Sequence, residues 1–191
     1  MKLEQFINTS FLDIRGTERT DSLHTALVEL LRKQRPELVD MEVRYETRYP
    51  DGYGGMFKLD IAFFDADDNC RLVVLDKALN SSVGKNIKNY GNTTVGEAAR
   101  LMYSEKPPAE VLFITVTPRL APVFNKQGEV QRLDDVVNCV AQTNPQKILD
   151  QQYDGNVRAA YIFYDIVDVK DKKTQQQFQP IEFENLDIPR L

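Results

Sequence analysis

Two neighbouring apolar runs that each carry one carboxylate constrain this chain more than any other feature. The first is Met56-Phe57-Lys58-Leu59-Asp60-Ile61-Ala62-Phe63-Phe64, and the second is Arg71-Leu72-Val73-Val74-Leu75-Asp76-Lys77-Ala78. Both are rich in the β-branched and aromatic residues that suit a pleated surface, and Asp65-Ala66-Asp67-Asp68-Asn69 between them has turn chemistry. They predict a hairpin with strands at 56–64 and 71–78. Asp is disfavoured inside strands, so Asp60 in an apolar run points to a function. A hairpin can bring Asp60 and Asp76 side by side. Paired carboxylates suit a hard cation such as Mg²⁺, the ion that phosphodiester hydrolysis commonly uses.

The remaining segments supply the layers around that hairpin. Thr20-Asp21-Ser22 forms a helix N-cap region, after which Leu23, Ala26, Leu27, Leu30 and Leu31 share one face. Pro36 ends this helix; His24 and Glu29 lie off its stripe, with His24 expected to be exposed. Val43, Tyr45 and Thr47 alternate with Glu42, Arg44, Glu46 and Arg48, a half-exposed strand. The glycine-rich stretch 50–55 is a loop. Turn formers and amides fill 81–94, expected as loop, and a helix is predicted from Val95 to Ser104. The apolar run from Glu110 to Thr117 predicts a central strand covered on both faces. A further helix is expected over Leu133–Val140 and a strand over Ala159–Val167, with Lys170–Gln179 a polar, mobile connection. This order implies an α/β fold, a central mixed β-sheet flanked by helices. The 191 residues suit a single domain, 1–191, with its core at about 20–117 and a C-terminal strand and tail at 156–191.

Composition narrows the function. A net charge of −5 argues against a protein that coats nucleic acid non-specifically. Yet from Lys77 to Gly96 there are three lysines (Lys77, Lys85, Lys88) and no acid. The single histidine argues against a histidine-rich metal site or a Ser-His-Asp hydrolase. Cys70 and Cys139 lack metal-ligand spacing and are expected as reduced thiols of a cytoplasmic protein. No apolar run is long enough to span a bilayer, and the N-terminus lacks a signal-peptide pattern.

Side chains alternate faces along a strand, so Asp76 shares a face with Val74 and Ala78, and Asp60 with Lys58 and Ala62. Helix, three strands, helix, strand, with Asp60 followed after a 15-residue gap by Asp76-Lys77-Ala78, resembles the PD-(D/E)XK nuclease superfamily. Within it the chain looks most like type II restriction endonucleases, over roughly residues 20–117. The resemblance implies a restriction-endonuclease-like core and a Mg²⁺-dependent, sequence-specific DNA endonuclease. Asp60 matches the first metal-binding aspartate and Asp76 the second carboxylate; Glu29 or Glu46 matches the accessory acid of some members.

Where the family has a lysine that assists the attacking water and neutralises charge at the phosphate, this chain has Ala78. Four readings stay open. The lysine has been replaced deliberately, giving a binding-competent but inactive protein; or a nearby lysine (Lys77, Lys85 or Lys88) serves; or the chain is a naturally inactive member; or the second carboxylate has migrated to Glu97, completing a site with Asp60 and Lys77. Lys77 points to the other face if the strand stays regular. The resemblance also implies double-stranded DNA as partner and a homodimer, since cutting both strands takes two sites. Arg44, Arg48, Ser81, Ser82, Lys85, Asn86, Lys88 and Asn89 are the DNA-contact candidates, because such groups grip phosphates and read base edges. Two alternatives are a catalytically silent DNA-binding protein or regulatory subunit on the same fold, and a protein-interaction domain. Glu97 and Arg100, one helical turn apart, are expected as a surface pair. Pro50-Asp51 is a literal PD, but in a loop, and ranks below Asp60.

Overall fold

In chain order the elements are α1 (Leu3–Ser10), α2 (Glu18–Gln34), a short 3-10 turn at Pro36–Leu38, β1 (Glu42–Pro50), β2 (Met56–Phe64), β3 (Cys70–Ala78) and α3 (Val83–Met102). They continue with β4 (Val111–Pro118), β5 (Leu120–Phe124), β6 (Val130–Asp135), α4 (Val136–Thr143), α5 (Gln146–Tyr153), β7 (Val157–Tyr164), β8 (Ile166–Val167) and β9 (Gln179–Pro180). The structure is a computed structural model, and it describes residues 2–10, 18–167, 174, 179–180 and 185–191.

Five strands form the central mixed sheet in the order β1-β2-β3-β4-β7. β1, β2 and β3 are an antiparallel meander. The chain then crosses over through α3 and enters β4 parallel to β3, and β7 is parallel to β4. The class is therefore α/β, as the element order implies. β4 lies between β3 and β7, and its residues are buried alternately on both faces: Leu112, Ile114 and Val116 on one, Val111 and Phe113 on the other. That accounts for its unbroken apolar run.

One face of the sheet packs against α1 and α2. Phe6 and Ile7, with Leu23, Ala26, Leu27 and Leu31, meet Ile61, Phe63, Leu72, Val74, Ile114 and Ile162 there. Leu27 and Leu31 are fully buried, each burial contributing about 1.5–3 kcal/mol. The other face packs against Ala98 and Leu101 of α3 and Leu149 of α5. Among the described residues, no helix is long and apolar enough to cross a membrane.

The sequence expectation fails most clearly at α3, which begins at Val83 rather than Val95 and absorbs most of the expected 81–94 loop. Its apolar stripe is Val83, Ile87, Ala98 and Leu101. The glycines that suggest turns are there for close approach. The Gly84 N–H donates to Asp134 Oδ2 at 3.0 Å, and a Cβ on Gly84 would lie 2.9 Å from that oxygen. A Cβ on Gly91 would lie 3.1 Å from the Thr143 carbonyl. The helix expected at Leu133–Val140 begins at Val136. The residues before it form β6, paired with β5, and the Asp135 side chain caps the helix by accepting the Asn138 N–H at 3.0 Å. The last predicted strand is divided into β7 and β8. The expected connection Lys170–Gln179 lies largely outside the described residues.

Candidate metal centre

The site forms where the hairpin ladder ends. Pairing between β2 and β3 runs from Phe64 opposite Cys70 to Ile61 opposite Val74 and stops there. Continued unchanged, that register would set Leu75 opposite Asp60 and Leu59 opposite Asp76, with the two carboxylates on opposite faces. The strand does not continue unchanged. Ile61 and Phe63 pack on the α2 side, whereas Leu59 and Phe57, of the same parity, pack on the α3 side. In β1, Val43 packs on the α2 side and Tyr49 on the α3 side, again at the same parity. Between them Glu46 has φ +51°, a left-handed conformation that costs a non-glycine residue free energy and clusters at functional sites. Alternation thus slips once in each strand, at Glu46 and Asp60. The slip turns Asp60 towards Asp76, whose backbone N–H donates to Asp60 Oδ2 at 3.0 Å.

His24 of α2 reaches the same place. It is buried, contrary to the expectation of an exposed residue, and its ring stacks on Tyr45 at 6.1 Å between centroids. His24 Nε2 lies 3.1 Å from Asp76 Oδ2, with the two side chains 2% and 3% exposed. It lies 4.0 Å from Glu46 Oε1. The approach to Asp76 is not aligned as a hydrogen bond. Both imidazole nitrogens and Asp76 Oδ2 lack a hydrogen-bond partner among the described residues. His24, Glu46 and Asp60 each present a ligand atom within 4.8 Å of the other two. Lys58, two residues before Asp60, forms an ion pair with the second Glu46 oxygen, Oε2.

The electrostatics follow from crowding. Burial, and then the charge of Asp76, push the Asp60 carboxyl up to about 6, against the opposing pull of the Asp76 N–H and of His24. Burial alone would lower the His24 pKa, but Asp76, reinforced by Asp60 and Asp21, holds the imidazole above its ordinary value. Several acids held together beside one histidine are an arrangement that a cation relieves. The orphaned, buried imidazole and the grouped carboxylate oxygens fit a divalent metal ion.

The other predicted site residues are distributed as follows. Glu46, one of the two options for an accessory acid, is in the cluster; Glu29 is exposed on α2 and is not brought into it. Ala78 packs against the apolar cluster beside α2, on the Asp76 face. Lys77 points to the α3 side, its Nζ 5.6 Å from the centre of the Tyr90 ring. Glu97 lies half-buried on α3; burial raises its pKa, while Lys77 and Arg100 pull it down. Its charge reaches Asp60, but it is outside the ligand group.

Arg100 is chiefly a partner of Asp51, with which it forms an ion pair. The buried Asp51 also accepts the N–H groups of Tyr53 at 2.9 Å and Gly55 at 3.0 Å, so this literal PD fastens a loop. Arg44 pairs with Glu42 and Asp68, both at 2.7 Å, and lies over the Phe64 ring. Arg48 is exposed opposite Lys58. Ser81 and Ser82 precede α3; Lys85, Lys88 and Asn89 are exposed on its first half, and Asn86 is half-exposed. Sequence reasoning missed two members of the site, His24 and Lys58. His24 carried one overlooked signal: it was the sole imidazole, on the helix that must pack beside the carboxylate strands.

Comparison with family models, curated proteins and solved structures returns no match.

Proposed function

We infer that the chain is a metal-dependent DNA endonuclease of the restriction type, hydrolysing phosphodiester bonds at the Asp60–Asp76 site. The observation that carries this reading is the coordinated slip at Glu46 and Asp60, which turns carboxylates from adjacent strands into one half-buried cluster. A divalent cation bound there would polarise the scissile phosphate and lower the pKa of the attacking water. Asp60 and Glu46 offer carboxylate oxygens to hold it, with His24 Nε2 and Asp76 Oδ2 close beside them. Lys58, exposed next to Glu46, is placed to neutralise charge on the phosphate, the role left vacant at Ala78. Double-stranded DNA is the proposed substrate, and two copies of the chain would serve its two strands. The exposed lysines of α3 and Arg48 are the proposed backbone contacts.

Ala78 favours a second reading, a catalytically silent DNA-binding protein. The test incubates the protein and its Ala78→Lys variant with long duplex DNA, with and without Mg²⁺ or Mn²⁺. Metal-dependent fragments from either protein support the nuclease. Metal-independent DNA binding without cleavage supports the silent reading. Neither binding nor cleavage removes both.

A further inference from the structure

The resemblance to restriction endonucleases implies Mg²⁺ held by oxygen atoms alone, but the donor set in this chain differs. We propose that His24 is itself a metal ligand and that the centre selects a first-row transition-metal ion, in the range Mn²⁺ to Zn²⁺, over Mg²⁺. This deepens the nuclease reading by naming the ion of its site, yet it rests on side-chain geometry that holds whether or not DNA is the substrate.

Three observations carry it. First, His24, Glu46 and Asp60 come from α2, β1 and β2, far apart in sequence, and each brings a ligand atom within 4.8 Å of the other two. Second, His24 is 1% exposed, its Nδ1 has no hydrogen-bond partner among the described residues, and its Nε2 faces the Asp76 carboxylate at 3.1 Å without an aligned hydrogen bond. A buried polar nitrogen left so is costly unless something else satisfies it. Third, the Glu46 backbone is held at φ +51° while its Oε2 is tied to Lys58, which leaves Oε1 directed at His24 Nε2, 4.0 Å away.

The chemistry of these donors decides the ion. Mg²⁺ takes oxygen ligands, keeps most of its water and gains little from imidazole. Imidazole with carboxylates suits the transition series, in which affinity rises from Mn²⁺ towards Cu²⁺. Asp76 Oδ2 lies 3.1 Å from the same His24 nitrogen, Nε2, so an ion held at Nε2 would also neutralise that carboxylate. The competing arrangement has His24 as an imidazolium counter-ion to Asp76, with any metal held by carboxylates only.

The test uses metal-stripped protein titrated separately with Mn²⁺ and Mg²⁺ by calorimetry, for wild type and His24→Leu. Wild type is expected to bind Mn²⁺ more tightly than Mg²⁺, and His24→Leu to reduce that margin by roughly tenfold or more. Pulsed electron paramagnetic resonance on the wild-type Mn²⁺ complex is expected to show coupling to one imidazole nitrogen. This second measurement remains decisive if the variant fails to fold. No nitrogen coupling, or metal affinity that rises in His24→Leu, overturns the proposal in favour of the counter-ion. Mg²⁺-supported cleavage without nitrogen coupling overturns this proposal and leaves the nuclease reading standing. Nitrogen coupling in a protein that neither cuts nor binds DNA does the reverse.

Discussion

The backbone N–H of Asp76 donates to the Asp60 carboxylate at 3.0 Å, so a side chain takes over where the ladder between two strands ends. One group therefore closes the hairpin and furnishes the proposed metal ligand. Both roles call for the ionised carboxylate, which burial and the neighbouring Asp76 make costly.

Asp60→Asn is accordingly expected to stabilise the metal-free protein while abolishing DNA cleavage. The amide oxygen still accepts the Asp76 N–H, but the charge is gone. The folded pKa of Asp60, about 6, lies above its ordinary 3.8, so the native state binds more protons and stability falls as pH rises between those values. The gain from Asn should be near zero at pH 4 and about 2 kcal/mol at pH 8. Urea unfolding at the two pH values checks this, and an equal gain at both would refute it.

Lys58→Ala should separate catalysis from stability. Lys58 is 64% exposed, so its loss should move the unfolding midpoint little, by about 0.5 kcal/mol or less. If it neutralises charge at the phosphate, the cleavage rate should fall by about a hundredfold. Unchanged cleavage would return the lysine role to Lys77 or Lys85.

Two glycines of α3 should respond in opposite directions to the same change. A Cβ on Gly96 meets nothing within 4 Å, so Gly96→Ala should raise stability by about 0.5–1 kcal/mol through helix propensity. A Cβ on Gly84 would press on Asp134 at 2.9 Å and disturb the hydrogen bond at the start of the helix. Gly84→Ala should therefore destabilise, and thermal melting of both variants decides the matter.

The two thiols should differ in reactivity. Burial pushes the Cys70 thiol up to about 12, leaving almost no thiolate at pH 8. A thiol-specific reagent is expected to modify the half-exposed Cys139 in the native protein and Cys70 only after unfolding. Equal labelling rates in the native state would show that β3 opens readily.

Much of the fold was legible because it is written in local periodicity. The strands at 56–64 and 71–78, the helix that ends before Pro36, and the buried strand entering the sheet centre each carry their pattern within a dozen residues. The N-terminal half of α3 was not legible, because Gly84 and Gly91 answer to Asp134 and Thr143, some 50 residues away in sequence. A local reading sees only turn formers there.

The site divides in the same way. By itself the sequence determined that Asp60 and Asp76 stand out from apolar strands and that Glu46 is near them on the preceding strand. Only the tertiary structure decided that the carboxylates converge. A regular register puts Asp60 and Asp76 on opposite faces, and it is the paired slip at Glu46 and Asp60 that reverses one of them. It also decided that His24, off the apolar stripe of its helix, is nonetheless buried. A helix laid across a twisted sheet covers more than its stripe, and which flanking residue meets a carboxylate depends on where the two elements cross.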